Sequence, residues 1–145
     1  MRESEKRSNI LNQLYQVSRM GMEAAEIVLP KIQDRELRTQ VEKQNETYLR
    51  AMRQSRAMLQ KAQRIPGEVR PSAKRALHSV FHMGAKIRRG SEHFAGLMIS
   101  GASAGVNTLS RALNNSPDED PETRWLVERY IQSEERNIDA LKRFL

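Results

Sequence analysis

The sequence predicts an all-α protein, folded as an antiparallel four-helix bundle with an additional short helix. Three observations predict it. Helix-forming residues dominate the 145 positions, no stretch alternates apolar and polar residues like a β-strand, and four long segments repeat apolar residues at helical spacing. A chain of this length is expected to form one domain, residues 1–145. With one Trp, three Tyr and three Phe, the core must be aliphatic, with Met and Ala.

The first predicted helix runs from about Glu3 to Leu29, and Pro30 helps to end it because proline cannot donate to the helical hydrogen bonds. Its second half is rich in small residues, which let another backbone approach closely. The inward stripe, at spacings of four and three, consists of Ile10, Leu14, Val17, Gly21, Ala24 and Val28.

The second predicted helix begins at Asp34, a good N-cap, and continues to about Arg64. Only a few residues separate it from the first helix, so the two must be antiparallel neighbours. Its inward seam consists of Leu37, Val41, Gln44, Tyr48, Ala51, Ser55, Met58 and Ala62.

The segment Ile65–Pro71 interrupts the helical pattern with two prolines and a glycine. A shorter helix is predicted at 73–88, after a cap at Ser72. Gly90 and Ser91 form a second break, and a third long helix follows to about Asn114. The apolar side of the short helix is Leu77, Val80, Phe81, Gly84 and Ile87, and that of the long one is Phe94, Leu97, Met98, Gly101, Gly105, Thr108 and Ala112.

The fourth long helix has a strong start signal at Asp120-Pro121-Glu122: a cap, a proline in the first turn and an acid near the positive end of the helix dipole. Its predicted stripe is Val127, Tyr130, Ile131, Glu134, Ile138, Leu141 and Leu145. Two tight hairpins joined by a long connection of about 26 residues favour the ferritin-like topology, in which that connection returns along the bundle. The alternative is a five-helix up-down array.

Four patches carry a family resemblance: Arg19–Met22, Leu29–Leu37, His93–Gly101 and Glu135–Ile138. On these patches the chain resembles a ferritin-like, uncharacterised family of small bacterial bundle proteins over nearly its whole length. An acid often stands in that family where this chain has Gly96, which weakens a metal role there. The resemblance implies a fold and no activity.

A di-iron site in such a bundle needs several inward carboxylates and two Glu-x-x-His motifs. This chain has no Glu-x-x-His, and its nearest imitation is Glu134-x-x-Asn137. Glu134 alone lies on an inward seam. We therefore expect no cofactor. The alternative is an iron- or manganese-dependent oxidoreductase or iron-handling protein that uses Glu134 and His93, a histidine at the edge of the third stripe.

A buried carboxyl must be neutral, hydrogen-bonded or paired. Tyr48 and Gln44 lie near the middle of the second helix's seam and could reach Glu134. The simplest interpretation is a satisfied core group that fixes helix register. The functional alternative is an orienting group in a small pocket between the first helix and Gly101–Gly105.

Net charge is +7, yet eleven Lys and Arg against one acid fall between Arg50 and Arg89. This basic surface predicts an anionic partner, nucleic acid included, although no aromatic residue is interleaved for base stacking. A solubilising face, or contact with the acidic start of the fourth helix in a second copy, is the alternative. The i, i+4 pair of histidines within it suits a metal, but neighbouring cations disfavour one. The surface consists of Arg50, Arg53, Lys61, Arg64, Lys74, Arg75, His78, His82, Lys86 and Arg89.

Trp125 falls on the outer side of the fourth helix, where either the connection between the second and third long helices or another subunit would cover it. An exposed tryptophan at a helix start marks an interface, and a homo-oligomer is expected. The absence of cysteine excludes disulfides and thiolate chemistry, and no Gly-x-Ser-x-Gly elbow supports a serine nucleophile. No signal-peptide pattern and no membrane span occur, so we expect a cytoplasmic protein. The favoured function is a non-enzymatic, ferritin-like module that binds a partner or forms an assembly.

Overall fold

The computed structural model describes residues 3–67 and 90–145, with side chains from residue 10 onward. Within these ranges the chain forms four α-helices and no β-strand, which confirms the all-α class. A 3₁₀ turn, Leu29–Lys31, follows the first helix. The short helix predicted at 73–88, and with it the connection between the second and third long helices, lies outside the described residues. The helices are α1 Glu3–Val28, α2 Arg35–Lys61, α3 Ser91–Asn114 and α4 Pro121–Lys142.

Two predicted helix starts, those of α2 and α4, are confirmed by their caps. The Asp34 carboxylate accepts a hydrogen bond from the backbone N–H of Leu37 at 3.0 Å, and Asp120 does the same for Thr123 at 3.3 Å. Each cap satisfies a backbone donor that the first turn leaves without an intrahelical partner. The end of α2 was predicted too late: the helix stops at Lys61, and Gln63 adopts a left-handed conformation with φ 58°.

The contacts between helices fix their directions. Arg143 near the end of α4 forms an ion pair with Glu36 at the start of α2, so these two helices are antiparallel. Val17 packs against Gly105, while Ala24 shares a cleft with Met98, so α1 and α3 are antiparallel as well. Because α1 and α2 form a hairpin, α2 and α3 run in the same direction. None of the described helices is long and apolar enough to cross a bilayer.

The buried residues follow the predicted stripes along α1 and most of α2. They differ from the predicted seam at the end of α2. Leu59 is fully buried, whereas Met58 is half-buried and Ala62 is exposed. An α-helix drifts by about 20° per seven residues against a strict 4/3 repeat. After three repeats the drift is about 60°, which turns Leu59 rather than Met58 toward the core.

The predicted stripe of α3 is confirmed at Phe94, Met98 and Ala112, and it is wrong at Gly101 and Thr108, where the buried residue is the next one along the chain. Gly101 and Thr108 are exposed, while Ala102, Leu109 and Leu113 are buried. This local rotation buries Ala102 and Leu109 in place of Gly101 and Thr108, which removes more apolar surface from water. The rotation also leaves an edge of small residues facing α1. At the end of α4, the predicted core residue Leu145 is exposed, because it lies beyond the helix.

Candidate functional site

A cleft with a volume of about 280 Å³ lies between α1 and α3. Its walls are apolar and mostly small, and its floor is formed by three polar side chains from α2 and α4. No Lys, Arg or His belongs to the described lining. The walls are Val17, Met20, Gly21, Ala24, Leu97, Met98, Gly101, Ala102, Ala104, Gly105 and Thr108, and the floor is Tyr48, Tyr130 and Glu134.

Glycines shape this cleft in two different ways. A Cβ on Gly21 would lie 2.9 Å from the ring of Tyr48, and one on Gly105 would lie 2.8 Å from Cγ1 of Val17. These two glycines therefore permit close helix contact. A Cβ on Gly101 would meet no atom within 4 Å, although this residue lines the cleft. Gly101 thus keeps the cleft open rather than the helices close.

Glu134 on the floor is held by two neutral donors. The hydroxyl of Tyr48 donates to Oε2 at 3.0 Å, and the amide of Asn137 donates to Oε1 at 2.9 Å. The chain of hydrogen bonds continues outward, because the Gln40 amide donates to Oδ1 of Asn137 at 3.3 Å. Glu134 is only 2 % exposed. It depends on these two donors because burying a carboxylate without a partner costs free energy.

The electrostatics of the floor are dominated by burial. Burial raises the pKa of the Glu134 carboxyl above its ordinary value, and the hydrogen bonds from Asn137 and Tyr48 oppose this only in part. Burial, together with the nearby Glu134 charge, also raises the pKa of the Tyr48 and Tyr130 hydroxyls. Both phenols therefore keep their protons at neutral pH.

Gln44 adds an unsatisfied acceptor to this cluster. Its amide Nε2 donates to the Tyr48 hydroxyl at 3.4 Å, while its Oε1 is buried without a hydrogen-bond partner. If Glu134 takes up a proton, it can donate to the Tyr48 oxygen. The Tyr48 hydroxyl is then free to donate to the Gln44 carbonyl once that amide turns over. The structure therefore brings Gln44, Tyr48 and Glu134 into one chain whose direction can reverse on protonation.

Two members of the cluster were not assigned to it from the sequence. Asn137 was noticed only as a substitute for histidine in Glu134-x-x-Asn137, and its position one turn after Glu134 was the signal for a direct hydrogen bond. Gln40 lies one turn before Gln44 on the same helix. Its amide-to-amide contact with Asn137 depends on how α2 and α4 pack, which the sequence does not specify.

The remaining predicted metal residue, His93, is half-buried, and its ring packs edge-on against Phe94 with centroids 5.4 Å apart. It does not line the cleft that Glu134 closes. Across residues 3–67 and 90–145, no group of three or more His, Asp or Glu side chains is arranged to hold a metal ion. The pairing of Glu134 with His93 stays a prediction.

The basic surface is only partly within the described residues. Arg50, Arg53, Lys61 and Arg64 are exposed, as expected of a solvent-facing stripe. Lys61 lines a depression together with Asp120 and Glu122 at the start of α4 of the same chain. The other predicted members, Lys74, Arg75, His78, His82, Lys86 and Arg89, lie outside the described residues.

Comparison with known proteins supports the fold. The chain is similar to a crystal structure described as a DUF305 fragment from Deinococcus radiodurans, a helical domain of unknown function. The TM-score is 0.75 at 19% sequence identity, and the match covers 94% of this chain and 93% of the other. At this identity the likeness shows the fold alone. No family model and no curated protein match the sequence.

Proposed function

We propose that this protein is a non-catalytic binding module on a ferritin-like bundle, and that its α1–α3 cleft takes a small, largely apolar molecule with one hydrogen-bond donor. The observation that carries the proposal is the cleft itself, whose apolar walls end on the buried carboxyl of Glu134. Binding pockets commonly combine apolar walls with a few convergent polar groups.

The ferritin-like topology is supported by helix direction. Because α2 and α3 run the same way, α2 ends at the end of the bundle opposite to the start of α3. A chain that joins them has to pass along the length of the bundle, as in the ferritin-like arrangement. The same directions also fit the five-helix up-down array, in which the short segment would run antiparallel between α2 and α3, so direction excludes only the simple four-helix up-down bundle. The ferritin-like arrangement is favoured by the pairing, because α1 packs against α3 and α2 against α4.

The groups around Glu134 do not suit a di-iron centre. Such a centre needs several carboxylates and histidines that project together into the bundle. Glu134 instead receives hydrogen bonds from an amide and a phenol, and the cleft wall beside it is apolar. We therefore route no redox step through this site and assign Glu134 a role in recognition.

The cleft limits the size and the chemistry of its ligand. A cavity of about 150 Å³ holds a benzene molecule, so a cleft of 280 Å³ holds roughly twice as many non-hydrogen atoms. Carboxyl oxygens accept hydrogen bonds, and no cationic side chain belongs to the described lining to attract an anion. A ligand with a hydroxyl or amine at one end and an apolar body meets both conditions.

Methionine methyl resonances provide the test, because Met20 and Met98 line the cleft while Met52 and Met58 do not. The full chain, labelled at the methionine methyl carbons, is titrated with 3-phenyl-1-propanol. We expect the signals of Met20 and Met98 to shift and those of Met52 and Met58 to stay. Propylbenzene, which has the same body without the donor, should bind more weakly by about tenfold, the effect of one lost hydrogen bond.

A pair of glycine substitutions on α3 provides the matched control. Gly101→Leu places a side chain at the cleft, whereas Gly96→Leu places it on the same helix away from the lining, and neither Cβ meets an atom within 4 Å. Loss of binding in the first variant and retention in the second is expected. Equal binding by both variants, or uniform shifts of Met20, Met98, Met52 and Met58, would contradict the proposal.

A further inference from the structure

A second pocket lies on the opposite side of the bundle, between α2 and α4, and has a volume of about 190 Å³. Arg50 and Gln54 of α2 face Trp125, Arg129 and Ser133 of α4 across it. Within the basic stretch 50–89, the sequence offers one phenylalanine, Phe81, and it falls on the apolar side of the predicted short helix. The fold supplies an aromatic residue from another helix, because α2 and α4 are antiparallel and place Trp125 beside Arg50.

The indole is the first unusual element of this pocket. Trp125 is 56 % exposed, although large apolar rings are usually covered. The Arg129 guanidinium lies 4.9 Å from the ring centroid, in the geometry of a cation–π contact. A ring held in place by its neighbour and still open to water is a ready surface for stacking.

The charge of the pocket is the second element. In the described part of the chain, neither Arg50 nor Arg129 belongs to an ion pair. The nearest acid along α4, Glu128, pairs with Arg124 at 3.0 Å and so does not neutralise them. Two guanidinium groups beside an open indole favour a ligand that combines a planar ring with an anionic group.

The size of the pocket and the charges around it favour a single ligand unit over a strand. Its 190 Å³ is slightly more than the cavity that holds one benzene ring, so it covers one ring of a base and leaves the sugar and the phosphate at its mouth. Farther along α2, about 16 Å from Arg50 at 1.5 Å per residue, the basic stripe meets Asp120 and Glu122 beside Lys61, and these acids oppose a longer anionic strand along α2. Gln54 and Ser133 add donors and acceptors for the edge of a planar ring.

We propose that the Arg50–Trp125–Arg129 pocket binds a nucleoside monophosphate, with the base stacked on Trp125 and the phosphate held by Arg50 and Arg129. The proposal stands independently of the α1–α3 cleft, with which this pocket shares Tyr130 alone.

Trp125 also provides the assay, since it is the only tryptophan of the chain. The full chain is titrated with adenosine monophosphate while its fluorescence is recorded, and equilibrium dialysis measures binding without relying on that fluorophore. We expect quenching that saturates. Adenosine, which lacks the phosphate, and inorganic phosphate, which lacks the base, should each bind at least about tenfold more weakly.

Arginine variants locate the site. Arg50→Gln and Arg129→Gln should each weaken binding by about tenfold in dialysis, because each removes one charge-assisted contact. Arg56→Gln is the matched control, since Arg56 is an exposed arginine of α2 that does not line the pocket. Far-ultraviolet circular dichroism of each variant verifies the helical fold.

Several results would overturn the proposal. Equal binding of adenosine and adenosine monophosphate would show that the phosphate makes no contact in the pocket. If Arg56→Gln weakened binding as much as Arg50→Gln, binding would depend on general surface charge and not on this site. Tighter, steeply salt-dependent binding of a short oligodeoxythymidylate would make the surface a strand-binding one. Absence of nucleotide binding with concentration-dependent burial of Trp125 would assign the pocket to self-association.

Discussion

Replacement of Tyr48 by phenylalanine tests the buried polar chain directly. The substitution keeps the ring, which packs where a Cβ on Gly21 would lie, and removes only the hydroxyl. Oε2 of Glu134 then loses its donor, and Nε2 of Gln44 loses its acceptor. The free energy of unfolding should therefore fall through lost hydrogen bonds, with little change in packing.

The size of the loss should depend on pH, because the lost donor stabilises the charged carboxylate most. When Glu134 is neutral, the missing hydrogen bond is worth about 1 kcal/mol, and when it is ionised the loss rises to about 2–3 kcal/mol. The direction in which stability changes with pH can be worked out for the wild-type protein. Burial raises the folded pKa of Glu134 above 4.5, so as the pH rises the unfolded chain releases its proton first. Stability then falls with rising pH up to the folded pKa and becomes constant above it.

Without the Tyr48 donor, which lowers the pKa of Glu134, the folded pKa moves higher and the decline in stability extends further. The measurement is urea unfolding of both proteins at about pH 4 and about pH 8, followed by circular dichroism. Unchanged m-values would show that only stability differs. The difference between wild type and Tyr48→Phe should be larger at the higher pH.

Two controls separate this chain from a general effect of losing a phenol. Tyr15→Phe removes a hydroxyl on α1 that accepts from Arg19 at 3.1 Å and has no contact with Glu134. In a Glu134→Gln background, the effect of Tyr48→Phe should lose its dependence on pH. A Tyr48→Phe loss no larger than that of Tyr15→Phe at both pH values would refute the reasoning.

Two further pairs of substitutions test the packing. Gly21→Ala should lower the free energy of unfolding by about 1–3 kcal/mol because its Cβ would lie 2.9 Å from a phenol ring, whereas Gly96→Ala, with open space, should raise it by about 0.5–1 kcal/mol. Thermal unfolding measures both, and equal effects would show that α1 and α2 are not in close contact. Leu59→Ala should cost about 2–5 kcal/mol and Met58→Ala clearly less, since only the leucine is fully buried. If urea unfolding showed a larger loss for Met58→Ala than for Leu59→Ala, Met58 and not Leu59 would be the core residue at the end of α2.

Local sequence signals predicted the helix starts and most of the buried positions. Asp34 and Asp120 predicted helix starts because capping depends on a few neighbouring residues. The stripe from Ile10 to Val28 predicted the buried side of α1, and the inward position of Glu134 followed from the period of α4 alone. Errors arose where a strict repeat drifted from the helical period, at Leu59, and where a run of small residues gave no periodic signal, at Gly101.

What the sequence by itself determined is the all-α class, the capped helix starts and the inward position of Glu134, because these depend on interactions within a few turns of helix. Only the tertiary structure decided what surrounds the Glu134 carboxyl and where the clefts lie. The rotation of α3 turned Leu109 inward and left Gly101 at the cleft, and the antiparallel pairing of α2 and α4 placed Trp125 beside Arg50. Both results follow from how the helices bury their apolar area together, which no single helix specifies.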